Sequence, residues 1–499
     1  MLSKSRYCLF TQCPKCLWLR VNRPELAPED PALAARMETG NAIGDMAMGL
    51  FGKFTEVTAY RPDGRLDLSR MITCTEELIR AGEEIICEAS FSYKGNYCAV
   101  DILKKDKNGY AIYEVKSSTH AALIYATDIA YQKYVLEQCG VHVTGTYLVC
   151  INNEYVYDGA LDIAKFFKII DMADEVEGQY PSVKENIVAA EQVLAGTEAP
   201  VCDLSVGCRS PYDCAFWDYC TAHLPKPSVF DLYRFTFEKA LAYYQRGVVS
   251  FEDVLRDGEM KNSVRALQIH HELHECEPHV DKDGIRKYLD SLSFPLYFLD
   301  FETMQPVVPQ FVGTRPYQQI PFQYSLHYVL EEEGDVFHKE FLAESGVDPR
   351  RALAEHLCAD IPADACVLAY NKGFECARIR ELASAFPDLA EHLLHIADNI
   401  EDLIDPFRAG YYYTRAINGS FSIKSVLPAL YPDDPALDYH NLEGVHNGSE
   451  AMDIFPKIKD MPPEEREKAR WNLLRYCELD TYAMVKVWQK LCRVCLETV

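Results

Sequence analysis

Residues 294–303 read FPLYFLDFET. The run from Phe294 to Leu299 is apolar without alternation, too short for a buried helix and bounded by Pro295. Such a run predicts a strand covered on both faces, as in a layered α/β domain. Asp300 and Glu302 follow, two residues apart, so they share one face of that strand. Acids at the end of a buried strand stand where open α/β sheets place their sites.

Two later stretches supply partners. VLAYNKGFECARIREL (367–382) reads as a strand running into a helix, with Asn371 and Glu375 one turn apart at the junction. RWNLLRYCELDTYAMVKVWQKL (470–491) reads as a helix with Tyr476 and Asp480 on one face. Acids from three elements, with a tyrosine, can bind two divalent cations and hydrolyse a phosphodiester. RPYQQIPFQYSLHY (315–328) mixes aromatics with Gln318, Gln319 and Gln323 and reads as core or as a base-stacking surface. In NGSFSIKSVLPAL (418–430), Ser420 is expected to cap a helix, and Lys424 to meet a phosphate.

Upstream, FSYKGNYCAVDILKKDKNGYAIYEVKSST (91–119) reads as strand, turn, strand. Glu114 and Lys116 share a strand face, and the hairpin can bring Asp101 beside it. Paired carboxylates suit a hard cation such as Mg²⁺, and a neighbouring lysine suits a developing phosphoryl charge. Glu88 lies upstream in IICEASFSY, and Gln132 lies downstream in the helical DIAYQKYVLEQCG. The stretch CDLSVGCRSPYDCAFWDYC (202–220) spaces Cys202, Cys208, Cys214 and Cys220 six residues apart, and QCPKCLWLR (12–20) adds Cys13 and Cys16. Thiolates so arranged suit an iron–sulfur cluster or zinc.

The Asp101, Glu114-Val115-Lys116 and Gln132 pattern resembles the PD-(D/E)XK nucleases of the RecB type, the branch of the CRISPR-associated iron–sulfur exonucleases. The resemblance implies metal-site roles for Asp101, Glu114 and Lys116, a helix role for Gln132, and a [4Fe–4S] cluster on Cys13, Cys208, Cys214 and Cys220. Zinc is the alternative, and Cys202, Cys8 and Cys16 are alternative ligands. The histidine usual in the helix before the first strand is missing from ETGNAIGDMAMGLF (38–51), where Glu88 can compensate. The C-terminal pattern resembles DnaQ-like 3′→5′ exonucleases of the DEDDy kind, with an RNase H-like fold. That resemblance implies Asp300, Glu302 and Asp480 as ligands of Mg²⁺ or Mn²⁺, Tyr476 as the residue that positions water, and Glu375 as support for a second metal. Blocks such as LDFET, PYQQIPFQYS and YCELDT also resemble a bacterial family joining the two modules.

The expected organisation is an α/β nuclease domain over 1–224, a helical joining region over 225–285 and an exonuclease domain over 286–499. Of the 499 residues, 48% are hydrophobic and 25% charged, as in ordinary globular chains. The net charge of −26 argues against whole-surface attraction to nucleic acid and leaves room for a local basic groove. No apolar run reaches about 18 residues, and the N-terminus lacks a signal-peptide core. A cytoplasmic setting is expected, where nineteen cysteines serve as buried thiols or metal ligands. The expected substrate is DNA, chiefly single-stranded ends, with RNA as the alternative. No protein partner is indicated.

Overall fold

The computed structural model describes residues 2–30, 33–258 and 260–496. The chain divides into two compact units, Met1–Leu224 with Val307–Tyr317, and Pro225–Pro306 with Gln318–Val499. Both are mixed α/β.

The first unit is built on a seven-stranded sheet: β1 (Leu2–Ser3), β2 (Thr55–Glu56), β3 (Ile85–Tyr93), β4 (Asn96–Asp106), β5 (Gly109–Lys116), β6 (Val143–Ile151) and β7 (Phe167–Asp171). Its order is β2-β3-β4-β5-β6-β7, with β1 pairing β4. Strands β3, β4 and β5 form an antiparallel meander, and the helix Leu123–Gln138 carries the chain to β6, parallel to β5. That crossover needs a helix because adjacent parallel strands cannot be joined by a tight turn. Ile86, Val100, Ile112, Ala130 and Leu148 are fully buried in the core on one sheet face. Val307, Val308 and Tyr317 join the cluster of Ile85, Ile102 and Val149, which is why 307–317 returns to this unit.

In the second unit a short pair, β8 (His279–Val280) and β14 (Tyr412–Tyr413), stands apart from a five-stranded sheet. The sheet comprises β9 (Leu296–Met304), β10 (Ile320–Val329), β11 (Val336–Leu342), β12 (Cys366–Ala369) and β13 (Ile400–Asp402), in the order β11-β10-β9-β12-β13. Strands β9, β10 and β11 are antiparallel neighbours, whereas β12 runs parallel to β9 and β13 to β12. Tyr297, Leu299 and Phe301 pack with residues of the helices Arg350–Asp360, Gly373–Ala385 and Ala390–Asp398. Phe298 alternates away from them and meets Trp488 of the helix Pro463–Leu496, ring centroids 5.7 Å apart. Helices on both faces explain the unbroken apolar run of β9. Strand β10 is buried almost throughout, so its aromatics are core. Residues 225–285, read from the sequence as a joining region, belong to this unit, where Val229, Phe251, Val254 and Ile269 make a small core.

Candidate functional site

Glu88, Asp101 and Glu114 lie on one rung of the first sheet. The β3–β4 ladder pairs Cys87 with Ile102 and Ala89 with Val100, which sets Glu88 opposite Asp101. The β4–β5 ladder begins at Ile102 and Tyr113, and the next position sets Asp101 opposite Glu114. The ladders open at this rung. Glu88 has a φ of 57°, the left-handed region that a glutamate seldom enters. The Val115 N–H donates to Asp101 Oδ2 at 2.6 Å.

Glu114 is fully buried and surrounded by donors. Gln132 Nε2 donates to its Oε2 at 2.7 Å, and the Lys116 ammonium donates to its Oε1. Lys116 also reaches Asp128 Oδ2 at 3.1 Å, and Gln132 Nε2 reaches Asp128 Oδ1 at 3.1 Å. Lys4, at the start of the helix Lys4–Gln12, donates to Glu114 Oε1 at 2.9 Å and lies 3.7 Å from Asp101 Oδ1. Burial alone would raise the Glu114 pKa, but Lys116 and Lys4 outweigh it and hold the carboxyl well below the usual range. Burial and the Glu114 charge push Asp101 up to about 6, and burial with the Asp101 charge pushes Glu88 up to about 7. All five residues expected here converge. Lys4 and Asp128 are additions that the sequence motif does not name. Asp128 carries a signal, four residues before Gln132 on one helix face; Lys4 carries none, because its place depends on β1 pairing with β4.

The thiols gather where the N-terminal helices meet the 202–220 segment. Cys16, Leu19 and Phe216 form a buried cluster with Cys13 and Cys214 at its edge. Gln12 Nε2 donates to the carbonyls of Gly207 and Tyr212 at 2.8 and 2.7 Å. Cys13 feels the charges of Cys202 and Cys214, and Cys214 acts on Cys16, Cys208 and Cys220. A hydrogen bond from Cys16 holds Cys214 down to about 6 against burial, with Arg20 and Arg209 helping. Cys8 stands elsewhere, close enough to Asp128, Lys116 and Lys4 to feel their charges, and burial pushes it far up.

In the second unit a cleft of about 550 Å³ is lined by Asp300, Glu302, Tyr476 and Asp480, with Lys424 and Gln319. Strand β9 supplies the first two acids, and the helix Pro463–Leu496 presents Tyr476 and Asp480 across from them. Asp300, Glu302 and Cys477 offer ligand atoms within 4.8 Å of one another. The Cys477 thiol lies 3.9 Å from Asp300 Oδ2, and burial beside the acids holds it protonated. Tyr439 O–H donates to Asp480 Oδ1 at 2.6 Å, and Lys424 Nζ to Tyr476 Oη at 3.2 Å. Burial and the Asp480 charge push Glu302 up to about 8; burial raises Asp480 to about 6, with Tyr439 and Lys424 resisting. Carboxyls so crowded lack the positive charge that their ionised forms require.

Glu375 is buried and its Oε2 has no hydrogen-bond partner among the described residues, but it is not part of the cleft wall, where Tyr370 and Phe374 stand. Burial pushes it up to about 8, and Asp300 feels its charge. Asp402 accepts from the backbone N–H groups of Asn371 and Lys372 and from Arg408, so it braces the junction. Ser420 does not cap the helix Ile423–Leu430: Ser422 is the N-cap, and Ser420 Oγ accepts from Ser425. The local pattern places the cap two residues early. Tyr439 stands outside the sequence motifs, and Cys477 lies within one without being singled out. The first sits far from its partner along the chain, and the second reads as a core cysteine on its helix.

A family model described as a domain of unknown function (DUF2779) matches residues 297–422. The matched stretch contains Asp300, Glu302 and Glu375 and ends before Lys424, Tyr476 and Asp480. No curated protein matches the chain.

Proposed function

We propose that this chain is a metal-dependent nuclease with two sites, acting on DNA from single-stranded ends. The observation that carries the reading is the meeting of Asp300, Glu302, Asp480 and Tyr476 in one cleft from a strand and a distant helix. The sheet order β11-β10-β9-β12-β13, antiparallel then parallel, supports an RNase H-like, DnaQ-like unit. The helix–three strands–helix–strand succession through β3 to β6 supports a PD-(D/E)XK unit of the RecB type.

The buried, proton-retaining carboxyls of the cleft and the shortage of cationic partners on them suit a bound Mg²⁺ or Mn²⁺, held by Asp300, Glu302 and Asp480. Such ions supply polarisation of the scissile phosphate and an acidified water. The Tyr476 hydroxyl orients the attacking water by hydrogen bonding, and Lys424 fixes that hydroxyl while offering charge to a phosphate oxygen. In the first unit Lys116 stands beside Glu114 and Asp101 to stabilise the charge developing on phosphate. The gathered thiols, with Cys214 inclined to ionise, are a soft donor set for a [4Fe–4S] cluster, or for zinc, held by Cys13, Cys208, Cys214 and Cys220; Cys16 competes for a place by its contact with Cys214. Bound there, the group would tie the N-terminal helices to the 202–220 segment.

A second reading has one observation in its favour. Glu114 is already held by two ammonium groups, which suits a first unit that binds nucleic acid while the second cuts. The test is degradation of single-stranded DNA labelled separately at each end, with Mg²⁺ or Mn²⁺, comparing wild type, Lys116→Ala and Asp300→Ala. Distinct losses in the two variants support two active sites. Loss in Asp300→Ala alone supports the second reading. Cleavage of RNA in place of DNA reassigns the substrate, and no effect of either variant on either polymer overturns the nuclease reading.

A further inference from the structure

The Lys4 ammonium sits between Glu114 and Asp101, where a cation binding both carboxylates would sit. Its position is enforced. Leu2 and Ser3 pair with Asn96 and Tyr97 on the strand that bears Asp101. The Tyr131 hydroxyl donates to the Leu2 carbonyl at 2.8 Å. Ser3 caps the helix that Lys4 begins, accepting from the Arg6 N–H. A lysine held by a strand, a cap and a buried tyrosine is not a surface side chain that happens to fold inward.

Glu88, Asp101, Glu114 and Asp128 face this site with Lys4 and Lys116. Four carboxylates against two ammonium groups leave two negative charges when all are ionised, the charge of one divalent cation. Among the described residues the Gln132 amide oxygen, fully buried, has no donor, and it adds a hard acceptor beside Glu114. We infer that Lys4 is a resident cation that takes the place of a second metal, so that the N-terminal site binds a single divalent ion. Lys4 is here a charge-balancing residue that positions Glu114 and Asp101. The inference rests on the proposed metal site of the first unit and adds its stoichiometry.

The experiment uses the full chain with the second site silenced by Asp300→Asn and Asp480→Asn. Mn²⁺ binding is followed by titration calorimetry and by loss of the free-ion paramagnetic resonance signal. The parent is expected to bind one Mn²⁺. Lys4→Met is expected to bind a second ion or to hold the first about tenfold more tightly, because a competing charge has gone. Lys4→Arg is expected to behave as the parent. Metal-free Lys4→Met is expected to melt at lower temperature than the parent and to recover with Mn²⁺, since paired buried acids have lost their counter-charge. Equal stoichiometry and affinity in parent and Lys4→Met overturn the role of Lys4 and leave the metal site standing. No Mn²⁺ bound by either overturns both. A Lys4→Met protein that stays unfolded in Mn²⁺ shows a merely structural lysine and also overturns the inference.

Discussion

Tyr476 meets Lys424 through a 3.2 Å hydrogen bond to its hydroxyl, and the Lys424 ammonium also lies 5.1 Å from the centre of its ring. Tyr476→Phe keeps the ring between strand and helix but removes the hydroxyl proposed to orient water. Its expected cost is a fall of about 10²-fold in turnover on end-labelled single strands, with KM little changed. Unaltered turnover would show that the hydroxyl does not meet the reacting water. Cys214 permits a sharper contrast. It is the thiol that its surroundings incline to ionise, whereas Cys8 is pushed the other way. If the proposed iron–sulfur cluster is held there, Cys214→Ser is expected to lose it and its visible absorbance in anaerobically purified protein, while Cys8→Ser retains both. Equal retention in the two variants would remove Cys214 from the ligand set.

At the scale of elements, β9 carries the second unit. Its inward residues alternate between two helical layers, and Phe298, fully buried, shares a face with Asp300 and Glu302. Phe298→Ala leaves a void against Trp488 and is expected to cost about 3–5 kcal/mol in urea unfolding. A cost under about 1 kcal/mol would mean that the layer collapses around the gap. The alternation of β9 and the pairing of Tyr476 with Asp480 are local properties, set by periods of two and of about 3.6 residues, and are legible in the residue order alone. The rung of Glu88, Asp101 and Glu114 is only partly so. A hairpin at 107–109 announces that Asp101 nears Glu114, but Glu88 reaches the rung through the register of β3 on β4, which depends on the whole ladder. The Ser420 cap misleads for a similar reason: several serines near a helix start compete, and tertiary packing selects among them.

For the whole molecule, the carboxyls predict an unusual pH response. Glu88 stands near 7, and Glu302 and Glu375 near 8, above their unfolded values. The metal-free folded protein therefore keeps protons that the unfolded chain releases. This contribution is complete below about pH 4.5 and is lost as pH rises towards about 8. Glu114 has the opposite sign, but its contribution disappears only in acid. The melting temperature of metal-free protein should thus fall between about pH 6 and about pH 8.5, and saturating Mn²⁺ should flatten the fall. A metal-free melting temperature that rises over this interval would contradict the crowding of the acids. No described helix is long and apolar enough to cross a membrane, and the formal net charge of the chain is −26.

What the sequence determined by itself is the chemistry that follows from near neighbours: which strands are buried, which acids share a face, and where thiols are concentrated. These depend on spacing along the chain, which short-range geometry converts directly into direction in space. Which charges meet is set by the folding of distant segments onto one another. Lys4 lies 110 residues from Glu114, and Tyr439 lies 41 from Asp480. Neither pairing leaves a local mark, because each is set by strand register and helix packing across the fold. Those contacts govern whether a buried carboxyl keeps its proton or pairs with a lysine, since in a buried site the nearest charge outweighs everything farther away.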